Sequence, residues 1–331
     1  MALTGMKGQP LMSVSASVTP VIGLFDSGVG GLSVWQEIVQ RLPGCSTIYL
    51  ADSAHCPYGP RPIDEVRRFS LGITRFLVEA GASIVVVACN TASAAALDAL
   101  RKEFDVPIVG MEPAIKPAAE RSRTGHVGVL ATQGTLNGRL FRHTSARYAN
   151  GVAVHVEVGE GLVERVEAGE TDTQETAHLL DKHLRPMIEA GVDQIALGCT
   201  HYSFLLPLIQ QLLPQGVSVI DPAAAVARRV EQMLPSAGCV QTWGQNLTPQ
   251  PPSLRGKGES GSPLRFGEGL GEGLVDGHSS PDQWRFFSSG RPQAVSRIVH
   301  KLTGWEPEVS QVEWGLAESV VYQVEPRSQE P

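Results

Sequence analysis

An α/β fold of two similar domains, each a parallel sheet flanked by helices, is what this 331-residue sequence predicts. Three observations carry that expectation. From Val21 to about Leu234, short apolar runs alternate with amphipathic stretches, the pattern of parallel strands covered by helices on both faces. Two of those runs end in a cysteine and continue alike: Ile84-Val85-Val86-Val87-Ala88-Cys89-Asn90-Thr91-Ala92-Ser93 and Ile195-Ala196-Leu197-Gly198-Cys199-Thr200-His201-Tyr202-Ser203. Upstream of each lies a second matched pair, Ile22-Gly23-Leu24-Phe25-Asp26-Ser27 and Val127-Gly128-Val129-Leu130-Ala131-Thr132. Two matched pairs in the same order read as an internal duplication.

Strands are expected where the apolar runs are short and bounded by polar or glycine residues, over 21–25, 47–51, 83–88, 107–109, 126–131, 152–156, 193–197 and 217–220. Helices are expected over the longer amphipathic stretches near 31–41, 62–80, 91–103, 113–121, 135–148, 160–168, 173–190, 202–213 and 222–234. Residues 244–283 break the alternation with a Gly/Pro/Ser-rich composition that cannot bury a core, so a disordered insertion is expected there. Order should resume at Trp284-Arg285-Phe286-Phe287, with a helix near 292–302. The expected organisation is a flexible extension over 1–20, a first domain of 21–113 with 217–243 and 284–324, a second domain of 114–216, and a tail over 325–331. Facing each other, the two domains would put Cys89 and Cys199 on opposite walls of one cleft.

A net charge of −7 with dispersed basic residues argues against nucleic acid as a partner and favours a small molecule. The apolar patch Pro10–Val18 is too short for a membrane span and too weak for a signal peptide, so a cytoplasmic protein is expected. Five cysteines (Cys45, Cys56, Cys89, Cys199, Cys239) without a C-x-x-C pair fit reduced thiols and speak against a zinc ribbon.

Inverting a carbon centre by moving its proton needs a base on one face and an acid on the other. Two thiols suit that work, because thiol and thiolate are both reachable near neutral pH. Helix N-termini after each cysteine would favour the thiolate and an anionic substrate. The plain alternative is that both are small buried hydrophobes. Asp26-Ser27-Gly28-Val29-Gly30-Gly31 follows the first strand; it is either a tight turn or an anion-approaching loop whose carboxylate serves a thiol. His201, two residues after Cys199, is either structural or a proton carrier. In Asp52-Ser53-Ala54-His55-Cys56-Pro57-Tyr58-Gly59, Tyr58 and the backbone after it are candidate substrate contacts, while spacing gives His55 and Cys56 no partner. Glu157, Glu160, Glu164, Glu167 and Glu170 form a run that is usually a solvated helix face, though one member could polarise His201.

Taken together, Gly23-Leu24-Phe25-Asp26-Ser27-Gly28-Val29-Gly30-Gly31-Leu32, Pro57-Tyr58-Gly59, Ala88-Cys89-Asn90-Thr91-Ala92-Ser93 and Leu197-Gly198-Cys199-Thr200-His201-Tyr202 closely resemble the glutamate racemases of the aspartate/glutamate racemase superfamily. The resemblance spans nearly all of 21–235, and residues 285–303 look like the family's closing segment. It implies two flavodoxin-like domains related by an approximate two-fold axis, an active site in the cleft between them, and assembly as a homodimer. It also implies cofactor-independent, metal-free interconversion of L- and D-glutamate, supplying D-glutamate for peptidoglycan. By likeness, Cys199 takes the α-proton from L-glutamate and Cys89 from D-glutamate, with Asp26 assisting Cys89 and His201 assisting Cys199. Asp26, Ser27, Pro57, Tyr58, Gly59, Asn90, Thr91, Thr132, Thr200 and His201 match substrate-binding positions, and Glu167 matches an acidic helper of the histidine. The Cys-Pro often found upstream of that glutamate is here Gly159-Glu160.

Three other readings stay open at this level. A racemase of aspartate or a related acidic amino acid would differ in pocket size. A non-catalytic two-domain anion-binding protein would tolerate loss of either thiol. A hydrolase using Cys199 alone would leave Cys89 unexplained.

Overall fold

The computed structural model describes residues 19–148, 151–234, 283–315 and 321–323. The expected extension (1–20), insertion (244–283) and tail (325–331) lie outside the described residues, apart from residues 19, 20 and 283.

Each apolar run foreseen in the sequence forms a strand: β1 (Val21–Asp26), β2 (Ser46–Ala51), β3 (Ile84–Val87), β4 (Ile108–Val109), β5 (His126–Ala131), β6 (Ala153–Val158), β7 (Gln194–Gly198) and β8 (Ser218–Ile220). Three more follow beyond the insertion, β9 (Trp284–Ser288), β10 (Val309–Trp314) and β11 (Val321–Gln323). The helices are α1 (Leu32–Arg41), α2 (Ile63–Glu79), α3 (Asn90–Glu103), α4 (Ile115–Arg121), α5 (Gln133–Asn137), α6 (Arg139–Tyr148), α7 (Leu162–Glu167), α8 (Gln174–Glu189), α9 (Leu206–Leu212), α10 (Ala223–Met233) and α11 (Pro292–Thr303).

The strands make two sheets, one of seven in the order β11-β10-β9-β2-β1-β3-β4 and one of four in the order β6-β5-β7-β8. Every pairing is parallel except β10 with β11. The run β2-β1-β3-β4 and the run β6-β5-β7-β8 have the same order, so the duplication inferred from short sequence matches recurs in the topology. Cys89 follows the third strand of one set and Cys199 the third strand of the other.

Three boundaries differ from expectation. The segment from 217, expected in the first domain, opens with β8, which pairs with β7 in the four-stranded sheet; only α10, which packs on α1, returns to the first sheet. The helix expected from 135 to 148 is two helices, because Gly138 leaves helical geometry (ψ 146°). A Cβ there would crowd the Ala94 methyl at 2.5 Å. The helix expected from 202 begins at Leu206, after a 3-10 turn over Thr200–Leu205. Pro207 fixes that start, since its ring suits the first helical turn and it has no N–H to donate.

Alternation along β1 divides the core. Ile22 and Leu24 join an apolar cluster that runs through both halves of the molecule, while Phe25 faces a second cluster under α2 and α3. Trp35 anchors the segment beyond the insertion: its ring stacks on Trp305 at 5.4 Å and meets Trp284 and Phe286 edge-on, and its Nε1–H donates to Thr47 Oγ1. No helix among the described residues is long and apolar enough to cross a membrane.

Candidate active site

In parallel α/β sheets the carboxyl ends of the strands open onto the ligand crevice. Asp26 ends β1, Cys89 follows β3, Thr132 follows β5 and Cys199 follows β7, so both sheets send their chemistry to a common place. There they enclose a cavity of about 10 Å³ lined by Ser27, Pro57, Tyr58, Gly59, Cys89, Asn90, Thr91, Thr132, Val163, Cys199, Thr200 and His201. Every sequence-nominated substrate contact except Asp26 lies on this wall, and Val163 is an addition that an apolar helix pattern could not single out.

Cys89 is itself the cap of α3. Its backbone is extended (φ −140°, ψ 122°), and Sγ accepts the Ala92 N–H at 3.5 Å, as a capping hydroxyl would. The helix does not depress this thiol. Burial, then the adjacent Asp26 charge, pushes Cys89 well above the ordinary thiol value. Asp26 is fully buried, and its two oxygens accept the Ser27 and Gly31 N–H groups, each at 2.7 Å. Burial raises its carboxyl above the usual range, against His201, the Cys89 hydrogen bond and those two amides.

Cys199 sits in the mirrored position, extended (φ −150°, ψ 131°) and 94% buried, with Sγ 3.7 Å from His201 Nδ1. His201 Nε2 meets Glu167 Oε1 at 2.7 Å, and that oxygen also accepts the Val29 N–H at 2.8 Å. Burial works to depress the imidazole, but hydrogen bonds to Cys199, Cys56 and Glu167 outweigh it and raise His201 well above its ordinary value. Glu167 answers in the opposite sense: burial alone would raise it, yet the His201 contact and the Val29 amide hold it below the usual carboxylate range.

The acidic run thus resolves member by member. Glu167 meets His201, Glu157 pairs with His183 at 2.9 Å, and Glu170 pairs with Arg165 at 2.6 Å. The glycine loop after β1 does approach anions, but they are the protein's own: its amides hold Asp26 and Glu167. A Cβ on Gly28 would collide with the Glu167 carboxylate.

Two features escaped the sequence. Asp52, fully buried, accepts from Tyr58 Oη (2.5 Å), Ser289 Oγ (2.5 Å), Trp314 Nε1 (2.9 Å) and His55 Nδ1 (3.0 Å), which fixes the Tyr58 loop against the segment beyond the insertion. Cys56, given no partner by spacing, hydrogen-bonds to both His201 and Glu167. Burial pushes its thiol up to about 12. The expectation of wholly reduced thiols needs one correction: Cys45 is disulfide-bonded, whereas Cys56, Cys89 and Cys199 are free.

The asymmetry of partners is informative. One thiol has a buried carboxylate and the other an imidazolium, so each wall can hold or release a proton independently. Asn90 adds an orphan: its amide is 98% buried, and neither its oxygen nor its nitrogen has a hydrogen-bond partner. Such a group beside a cavity is a ligand contact in waiting, since leaving it unpaired costs roughly 1–3 kcal/mol.

A pair of α/β units with a thiol at matching strand ends is the arrangement that inverting a carbon centre would need. The chain belongs to the Asp/Glu/Hydantoin racemase family, whose profile matches residues 22–230. A glutamate racemase of Pseudomonas aeruginosa is 49% identical over 230 residues, 69% of this chain and 86% of the relative. Another, from Pseudomonas paraeruginosa, is 40% identical over 90% of this chain and 99% of its own length. The crystal structure of Escherichia coli glutamate racemase, solved with L-glutamate and the activator UDP-MurNAc-ala, matches 88% of this chain and 97% of its own (TM-score 0.68, 30% identity).

Proposed function

We propose that this chain is a cofactor-independent racemase of glutamate that works by two-base proton transfer. The observation that carries the reading is the pair of buried thiols at topologically equivalent strand ends, facing one cavity, each with its own proton partner. With L-glutamate bound, Cys199 as thiolate removes the α-proton and Cys89 as thiol delivers a proton to the opposite face; from D-glutamate the roles reverse. No net proton is consumed, so the two sulfurs simply exchange protonation state. The His201 imidazolium supplies positive charge where Cys199 must carry negative charge. Asp26, raised by burial, accepts from Cys89 and readies it for its turn as base. Ser27, Tyr58, Asn90, Thr91, Thr132 and Thr200 then bind the substrate's carboxylates and ammonium.

A cavity of about 10 Å³ holds little more than one water, so glutamate enters by separating the walls. The Thr91–Thr132 hydrogen bond (2.8 Å) spans the two halves and would open with them. By the same likeness we infer two domains, a homodimer in the cytoplasm, and D-glutamate supply for the cell wall. Sedimentation velocity and rescue of a D-glutamate auxotroph check the last two of these that are measurable on the purified protein and in cells.

Incubation with L-glutamate in D₂O, without added cofactor, tests the activity. Optical rotation should decay to zero while α-deuterium accumulates, and Cys89→Ala or Cys199→Ala should abolish racemisation. Full racemisation by Cys89→Ala would sink the two-base mechanism; an inert protein on glutamate that racemises aspartate would reassign the substrate.

A further inference from the structure

One thiol in the site has no part in the proton relay. Cys56 comes from the loop after β2, Glu167 ends α7 and His201 lies in the 3-10 turn after β7, so three separate elements converge on one point. Their ligand atoms, one sulfur, one nitrogen and one carboxylate oxygen, all lie within 4.8 Å of one another, and no other group of three such residues is so placed among the described residues. We propose that Cys56, Glu167 and His201 form an inhibitory site for a thiophilic divalent cation of the Zn²⁺ class, which on binding withdraws His201 from Cys199.

The donor set suits that ion. Zn²⁺ favours tetrahedral sulfur, nitrogen and carboxylate ligation with bonds of roughly 2.0–2.3 Å, which places donors about 3.3–3.8 Å apart. Closing the triad around an ion therefore takes shifts on the order of 1 Å, leaving the fourth position for water. Preorganisation comes from the shell behind it: the Val29 N–H holds the Glu167 carboxylate at 2.8 Å, and His201 is 98% buried. Cys56 and Glu167 are both half-buried and neither lines the cavity between the thiols, whereas His201 reaches both places. Binding balances as one ion in and two protons out, one from the Cys56 thiol and one from the His201 imidazolium. The ion then occupies the face of His201 that Glu167 now holds, and the imidazolium charge beside Cys199 is lost. Binding itself rests on geometry alone; the inhibition rests on the racemase reading.

The test uses the full chain freed of metal, titrated with Co²⁺ as a spectroscopic stand-in and then with Zn²⁺. Wild type and Cys199→Ala should each develop one thiolate-to-cobalt charge-transfer band per chain, which equimolar Zn²⁺ removes. Cys56→Ser, which keeps the size of the side chain but not its sulfur, should lack the band. Its Zn²⁺ affinity should fall by more than the roughly 10–100-fold that loss of an outer-shell partner costs. In the activity arm, Zn²⁺ should suppress α-deuterium exchange in wild type and spare Cys56→Ser. Absence of a band in wild type, or its survival in Cys56→Ser, overturns the site. Equal Zn²⁺ sensitivity of wild type and Cys56→Ser overturns the inhibitory role. A protein that binds Co²⁺ through Cys56 but never racemises glutamate would remove the catalytic reading and leave the metal site standing.

Discussion

Replacing Glu167 with glutamine isolates the charge that holds His201 protonated. Oε1 of Glu167 lies 2.7 Å from His201 Nε2 and 2.8 Å from the Val29 nitrogen. A glutamine carbonyl fits both donors, so packing survives and the negative charge alone is removed. Hydrogen bonds to charged groups contribute about 1.5–3 kcal/mol. With side-chain exposures of 20% for Glu167 and 2% for His201, little of that is lost to solvent screening. At about 1.4 kcal/mol per factor of ten, the imidazolium-to-imidazole ratio should fall roughly tenfold to a hundredfold. L- and D-glutamate are mirror images of equal free energy, so kcat/KM must stay equal in the two directions and any fall must appear equally in both. The specific readout is the basic limb of the pH–rate profile, which should move toward neutral pH, together with titration of His201 followed by NMR. A basic limb that stays in place while His201 titrates as in wild type would refute the reasoning.

The same pair predicts a pH-dependent stability difference. His201 is held above its ordinary 6.5, so its contribution is full below that value and lost as pH rises through the folded-state value; Glu167 is held below its ordinary 4.5, so its contribution is full above that value and lost as pH falls through the folded-state value. Chemical denaturation of wild type against Glu167→Gln should show the largest gap between pH 4.5 and 6.5. Gly28→Ala drives a methyl into the Glu167 carboxylate and should reproduce the loss of imidazolium, read by the same NMR titration; an unmoved His201 signal counts against the contact. Cys56, half-exposed but pushed up to about 12, should be thiolate to only on the order of one part in ten thousand at pH 8, so iodoacetamide should leave it nearly unmodified in peptide mapping. Trp35→Ala removes the ring that Trp284, Phe286 and Trp305 pack around and should cost about 3–5 kcal/mol of unfolding free energy in urea titrations.

The parts of this molecule that local chemistry determines were legible in the sequence. The central strands β1, β3, β5 and β7 are short apolar runs, and burial on both faces of a parallel sheet demands that composition. The cysteines at strand ends, with His201 two residues after Cys199 and Asp26 at the end of β1, could be named because strand ends are where such sheets act. What the sequence hid depends on distant convergence. The partners of Cys56 come from α7 and the 3-10 turn, and nothing in the spacing of Asp52–Gly59 points to them. Glu167 could be picked from its run of five acids only by family likeness, because the run has a uniform helical pattern and the choice is made by Val29 and His201 across the cleft. β10 and the edge strand β11 have too few buried apolar positions to mark a period in the sequence. The resting state of Cys89 is not legible in the sequence, because burial and Asp26, both set by the fold, outweigh the one helix amide that lowers it.

The Asp52 hub carries a consequence for how the protein is made. Its bonds to Ser289 and Trp314 close loops of 237 and 262 residues, with the Gly/Pro-rich stretch inside both. On the ribosome, the loop bearing Tyr58 emerges more than 200 residues before its lock. A nascent chain can fold its first sheet around β1 and β3 while that loop still lacks its anchor, so a product truncated before Ser289 would keep both thiols and leave the Tyr58 loop untied. The long stretch lengthens the wait without much thermodynamic penalty, because closure entropy grows only with the logarithm of loop length.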